Sequence, residues 1–420
     1  MHDAKPILLI TKVVTQNQGN QALSRAWLAT LEANYPERRV VPLERAPSYL
    51  KRFTLAQLER AGDPITRFKE IAADLARQAS SAGPAHYPAR TEIRHKSSIT
   101  QPLKTARLRQ LLKVRSRLSS LGLGRAEYRK RLAQIRDAGM LVMNPAGEFF
   151  PQGGETVLIY LLELRVAQLL GVPTVMVNLS FEVENPLLRR LAAYVMDQCH
   201  ALEFRDDESA AAYREAGGVR SAAILPDAAL LTPPPAAQQA FAGGATIALA
   251  INALQVRAAG LDADWIAFFD RLGSEGFDPV LTSNEWTTDE PFWADLLQGG
   301  KVRSEGREAD CSEYVALLGR YDVVVSSRLH TCVLAIIAGT PVVPVETGTF
   351  KLTGFFKQIG LDTAPIKLGA PGWQDLVVDR IREAQRDRAA VVSRQSQKRD
   401  AAALRLRSGL SDLFGSVVPR

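Results

Sequence analysis

The sequence predicts an α/β protein built from two doubly wound, parallel-sheet domains that face one another over a cleft. Three observations predict it. Short apolar, β-branched runs alternate with helical stretches in two blocks, which is the rhythm of parallel strands joined by crossover helices. The blocks are separated by TPPPAAQQAFAGG, the best linker in the chain, where three consecutive prolines are followed by small and polar residues. Residues 321–345, YDVVVSSRLHTCVLAIIAGTPVVPV, read as strand, loop, apolar helix and second strand in close succession. The chain has 420 residues, 46% of them hydrophobic and 23% charged, which suits two ordinary domains each able to fill a core.

Taken in order, PILLITK at 6–12 opens the first sheet, and TQNQGNQALSRAWLATLEANYP turns into an amphipathic helix. Asn17, Gly19 and Asn20 stand in that turn, where backbone and amide donors can meet a ligand. RRVVPL at 38–43 is the second strand. From about 45 to 135 the rhythm is interrupted by helical pieces and a basic stretch. Between Lys104 and Arg136 eleven Lys or Arg stand against one acid, Glu127, with leucines between them. Such a pattern is first a solvated helix face and second a docking face for an anionic membrane surface. Alternation resumes with a strand at 139–144, a Gly-rich loop carrying Glu148, Gly153, Gly154 and Glu155, a helix to Leu170, a strand at 173–179, a helix from Pro186 and a strand at 201–204. The next helix starts with Asp206 and Asp207, which suit its dipole. Arg205 does not suit it, and its position calls for an anionic partner.

The second block begins with a strand at 245–252, followed by a helix at 262–275, the strand FDPVLTS, a helix across PFWADLLQGG and a short helix at EYVALLGR. Then comes a strand at 323–325, with Ser326 and Ser327 as cap residues, a helix over 329–338, a stop at Gly339 and a strand from Val342. Arg328 and His330 stand where the strand ends and the helix begins, the place at which open α/β sheets bind ligands and helix N-termini meet anions. One histidine near the start of a buried helix is as often a satisfied core residue. A cation two residues away tips the balance, because the pair makes a poor core and a good anion site. The expected organisation is therefore a first domain over 1–232 with the basic insertion, a linker over 233–244, a second domain over 245–370, and an Arg-rich helical region over 371–420 that crosses back towards the first domain.

Composition excludes several classes. Cys199, Cys311 and Cys332 are scattered without ligand spacing, and the five histidines form no cluster, so neither a disulfide framework nor a metal site is expected. No apolar run approaches the roughly 20 residues of a membrane span. MHDAKPILLITKVV reads as a first strand and not as a signal peptide, so a cytoplasmic location is expected, with peripheral contact at the inner face of a membrane as an addition. The net charge of +7 and pI of about 9.3 favour phosphorylated substrates or anionic surfaces. No nucleic-acid partner and no cofactor are expected.

Several pieces together resemble the polysaccharide pyruvyl transferase family. They are NQGNQAL, the loop near GGET, GVPTVMV, EFRDDESAAAYREAGG, LPDAALL, SSRLHTCVLAIIAGTPVV and KLTGFFKQIGL, in the family's order. The resemblance implies two Rossmann-like domains in a GT-B-like arrangement. It also implies transfer of the enolpyruvyl unit of phosphoenolpyruvate to a saccharide hydroxyl pair, forming a pyruvate ketal and releasing phosphate. Arg205, Arg328, Leu329 and His330 match the family's functional positions. Asn20 stands where the family usually carries Asp. His330 is expected to be acid and base, with Arg205 and Arg328 as anion clamps, because planar guanidinium forks suit a carboxylate and a phosphate. Lys351 is a further candidate for the donor phosphate. Ser327, Glu148 and Glu346 complete the candidate substrate-binding set. The acceptor is a saccharide precursor of a cell-surface or exopolysaccharide, free or carried on a lipid diphosphate. Two other readings stand beside this one: a GT-B glycosyltransferase in which Glu346 binds the ribose of a nucleotide sugar, and a non-catalytic scaffold whose basic helices dock to membrane.

Overall fold

The computed structural model describes residues 4–88, 92–96, 124–151, 153–235, 244–298 and 303–420. Most of the basic stretch, residues 97–123, and most of the linker, residues 236–243, lie outside the described residues.

Two six-stranded sheets organise the molecule, and every pairing within them is parallel. In chain order the strands are β1 (Ile7–Thr11), β2 (Val14–Thr15), β3 (Val40–Glu44), β4 (Arg94–His95), β5 (Met140–Met143), β6 (Thr174–Leu179), β7 (Ala201–Phe204), β8 (Ala223–Ile224), β9 (Thr246–Ala250), β10 (Asp278–Leu281), β11 (Arg303–Ser304), β12 (Val323–Ser326), β13 (Val342–Glu346) and β14 (Ile366–Lys367). The first sheet runs β3-β1-β5-β6-β7-β8, the second β11-β10-β9-β12-β13-β14, and β2 pairs β4 in a small separate ladder. The strand order reverses between β1 and β5 in one sheet and between β9 and β12 in the other, so each sheet has a crevice at its switch point.

The central strands β1, β5, β6, β12 and β13 are buried along their whole length. This is why they read as continuous apolar runs without alternation. The helix that follows β12, Leu329–Ala338, has nine of its ten residues buried. It ends at Gly339, whose φ of 77° lies in the left-handed region that glycine enters without steric cost.

Two local expectations are corrected. Ser326 and Ser327 do not cap this helix; Arg328 occupies the cap position and makes no side-chain cap bond. Ser326 Oγ instead accepts the Arg328 N–H at 2.9 Å and donates to the Ala250 carbonyl. Ser327 Oγ accepts the Asn252 N–H at 2.7 Å, so the two serines stitch the β9–β12 crevice. The helix expected from Pro291 starts earlier, at Trp286, and runs to Gln298. Pro291 therefore stands inside the helix, where its ring removes one i→i−4 hydrogen bond, and Asp289 falls in the first turn.

The long final helix, Arg388–Gly415, packs on the helices Leu329–Ala338 and Lys351–Ile359 and on the turn Ala228–Leu231. Its end reaches the first domain, where Tyr35 donates its hydroxyl proton to the Phe414 carbonyl at 2.8 Å and Phe414 sets its ring edge-on to Trp27 and Tyr35. Beyond it Arg420 donates to the carbonyls of Leu170 at 2.8 Å and Ala138 at 3.1 Å. Among the described residues no helix is long and apolar enough to cross a membrane.

Candidate active site

The first helix, Gln18–Asn34, brings the two domains together. Asn17 caps it, its amide oxygen accepting the Asn20 N–H at 2.9 Å and the Asn284 amide from the second domain at 3.2 Å. Gln18 donates its side-chain amide to the Ala309 carbonyl at 2.8 Å, and Gln21 accepts the Cys311 N–H at 3.0 Å. Gly19 lies under the His330 ring: a Cβ added there would fall 2.4 Å from Cβ, Cγ and Nδ1 of that residue. The NQGN segment is therefore a joint between the domains, and its glycine is needed for a close approach.

His330 enters from the second domain and meets a cluster from the first. Its Nε2 is 3.8 Å from Asp227 Oδ2, ion-pair distance but too long for a hydrogen bond. That nitrogen is buried and has no hydrogen-bond partner among the described residues. Asp227, from the LPD segment after β8, is 1% exposed. It accepts the Ala229 N–H at 2.9 Å and Nη1–H of Arg205 at 3.0 Å. Burial by itself drives the Asp227 carboxyl towards its neutral form, but His330, Arg205 and the Ala229 N–H outweigh this and hold its pKa well below the ordinary value. Arg205, 4% exposed at the end of β7, also donates Nε–H to Ser180 Oγ at 2.6 Å. The anionic partner that its position called for is Asp227.

Lys351 reaches the same cluster. Its Nζ lies 3.0 Å from Glu182 Oε1 in the first domain, and a Cβ at Gly147 would come within 3.8 Å of it. The side chain is 22% exposed, so Lys351 is no free surface lysine. Burial lowers its pKa, Glu182 opposes this, and the charge of Arg205 adds to the lowering. Arg205 and Lys351 thus sense one another from opposite domains.

Arg328 is engaged differently. Its Nε–H donates to Asp289 Oδ2 at 3.1 Å, Nη2–H donates to Asp289 Oδ1, and Nη1–H donates to Glu285 Oε2 at 2.7 Å. Asp289 is fully buried and further held by the Ser283 hydroxyl at 2.5 Å and the Ala253 N–H at 3.1 Å. The fork read as an anion clamp is occupied by two carboxylates of its own domain, and Arg328 fixes the start of the helix that carries His330.

The remaining candidates scatter. Glu346 is saturated, accepting N–H groups of Leu352 at 3.1 Å and Thr353 at 3.3 Å, the Thr353 hydroxyl at 2.7 Å and the Lys367 ammonium at 2.6 Å. It caps the helix Lys351–Ile359, and this corrects its reading as a ribose ligand. The Leu329 side chain belongs to the apolar core, leaving only backbone to offer a ligand. Ser327 is spent on Asn252. Glu148 is ion-paired to buried Arg45 at 2.5 Å. Its neighbour Lys12, at the end of β1, went unremarked in the sequence. Burial and Arg45 lower the Lys12 pKa, while Glu148, Glu44 and Glu285, from both domains, oppose the shift. The end of a central strand at a switch point is the signal that identifies it. Asp227 is a second site residue that the sequence does not single out, although it stands in LPDAALL.

Two Rossmann-like domains with their strand ends turned to a shared cleft, joined by a returning C-terminal helix, define a protein of GT-B fold. Structures of that fold are similar over nearly the whole chain. Alr3699/HepE of Anabaena in complex with UDP is 12% identical with a TM-score of 0.51, covering 98% of each chain. MnaA of S. aureus with UDP is 10% identical with a TM-score of 0.50, covering 94% of this chain and 91% of that one. No curated protein matches. The family description of polysaccharide pyruvyl transferase matches residues 17–349, and the chain belongs to that family.

Proposed function

We propose that the protein transfers the enolpyruvyl unit of phosphoenolpyruvate to a hydroxyl pair of a polysaccharide precursor, forming a pyruvate ketal and releasing phosphate. The observation that carries the reading is the buried, unpartnered Nε2 of His330, held beside Asp227 with Arg205 and Lys351 at hand. The two substrate hydroxyls lose their protons; one proton is delivered to C3 of the donor, which becomes a methyl group, and the other leaves with the phosphate. Both new C–O bonds form at C2, and the C2–O bond to phosphate breaks. An imidazole whose charged form is balanced by a carboxylate suits both proton transfers. Lys351 and the free edge of Arg205 attract the carboxylate and phosphate of the donor. Arg328 and Leu329 set the helix start, and Asn17, Gly19 and Asn20 keep the first domain against it. Glu148 and Lys12 face the acceptor.

The acceptor proposed is a saccharide carried on a lipid diphosphate and met at the inner face of a membrane. The net charge of +7 and the basic stretch before Arg136 support that part of the reading. No metal or cofactor enters it.

The test is turnover of phosphoenolpyruvate with lipid-linked oligosaccharides, followed by phosphate release and the mass of the ketal product. His330→Ala should lower kcat by about 10²–10⁴-fold with the thermal transition retained, and near-normal turnover would overturn the assignment. Because the HepE and MnaA structures contain UDP, titration with nucleotide sugars belongs beside titration with phosphoenolpyruvate. Binding of a nucleotide sugar alone would favour the glycosyltransferase reading.

A further inference from the structure

We propose that Asn178, held out of regular strand conformation by the carboxyl of Glu203, is a positioning residue that sets Asp227 against His330. The inference rests on the role given to His330 above.

Strand β6 is irregular where it pairs β7, with the register shifting between Met176 and Leu179. Within the irregularity Asn178 adopts φ of 54°, in the left-handed region, and it is fully buried. Irregularities of this kind beside active sites re-aim a side chain, and non-glycine residues keep such a backbone only where the surroundings hold it. The surroundings here are specific. The Asn178 N–H donates to Glu203 Oε2 at 2.5 Å. The side-chain amide then clamps two consecutive residues: its oxygen accepts the Ala228 N–H at 2.8 Å, and its nitrogen donates to Asp227 Oδ2 at 3.4 Å. Asp227 Oδ2 is the same oxygen that faces His330 Nε2 and receives Arg205.

Asparagine fits this place for two reasons. It tolerates the left-handed region better than most residues, and one amide carries both a donor and an acceptor. Glu203 completes the device. It is 1% exposed, and burial pushes its pKa up to about 8, with the Asn178 N–H opposing and the charge of Asp227 adding to the rise. The rise favours the neutral carboxyl, which supports Asn178 without placing a second negative charge beside Asp227.

The experiment compares wild type, Asp227→Asn and Asn178→Gly. Glycine accepts the same backbone conformation and deletes both amide contacts. Ring resonances of His330 are followed in protein labelled at histidine, assigned by their loss in His330→Ala. In Asn178→Gly these resonances should move in the same direction as in Asp227→Asn. Turnover of phosphoenolpyruvate should fall by about 10²-fold in kcat, with KM for the donor little changed. If Asn178→Gly does not fold, Asn178→Ser replaces it, since its short hydroxyl cannot span both Ala228 and Asp227 and adds no charge beside Asp227. Unmoved His330 resonances in a folded variant, while Asp227→Asn moves them, would overturn the proposal. Moved resonances in a protein that turns over no phosphoenolpyruvate would uphold it and sink the donor reading instead.

Discussion

Asp227 is where charge, burial and reach converge. Its folded pKa is depressed, so the stability it contributes is complete above its ordinary value of 3.8 and is lost only as pH falls through the lower folded value. Asp227→Asn should lower stability at neutral pH, because buried Arg205 loses its counter-charge, and cut kcat by about 10²-fold, because the imidazolium loses its own. Steady-state kinetics at pH 7 check this, and unchanged kcat would remove Asp227 from the site. Glu203 has the opposite linkage. The folded protein keeps a proton that the unfolded chain releases, so stability declines as pH rises from 4.5 to about 8 and is level above that. Glu203→Gln should abolish the decline. Denaturant unfolding between pH 5 and pH 9 reads it, and parallel pH profiles of the two proteins would show that the carboxyl does not titrate in that window.

The segment from β10 to the helix Trp286–Gln298 shows what a sequence discloses and what it withholds. Its strand and helix were visible because buried parallel strands and amphipathic helices leave periodic traces. Arg205 and Arg328 were also visible, since a cation at a helix N-terminus needs a reason. Their partners were not. Asp227 lies 22 positions from Arg205, and Asp289 and Glu285 lie 39 and 43 positions from Arg328, so only the folded sheets bring the acids to the arginines. Reading Pro291 as a helix start hid the acids further, by leaving them in a loop. Asp289→Ala should leave the buried Arg328 guanidinium with Glu285 alone, at a cost below the roughly 3–5 kcal/mol of a wholly unpaired buried charge, measurable as a lowered denaturation midpoint. Glu346 misled for the converse reason, because an acid after a strand looks the same whether it awaits a ligand or caps the next helix.

At the scale of the whole molecule, the proposed function requires the domains to keep their present distance, since His330 and Lys351 come from one and Asp227, Arg205 and Glu182 from the other. Gln21 is fully buried at this joint, with one end on the Thr15 carbonyl and the other on the Cys311 N–H. Gln21→Ala leaves a buried donor without a partner, at about 1–3 kcal/mol, and should weaken closure more than either domain. Small-angle scattering would register a larger radius of gyration and kinetics a lower kcat. An unchanged radius with unchanged kcat would show that the joint does not depend on Gln21. The helix Arg388–Gly415 has another consequence, one of timing. Phe414 and Val417 belong to the same apolar cluster as Trp27, Tyr35 and Leu31. On the ribosome, that face of the first domain stays bare until the second domain has been made, and so it is the surface that a chaperone has most reason to cover.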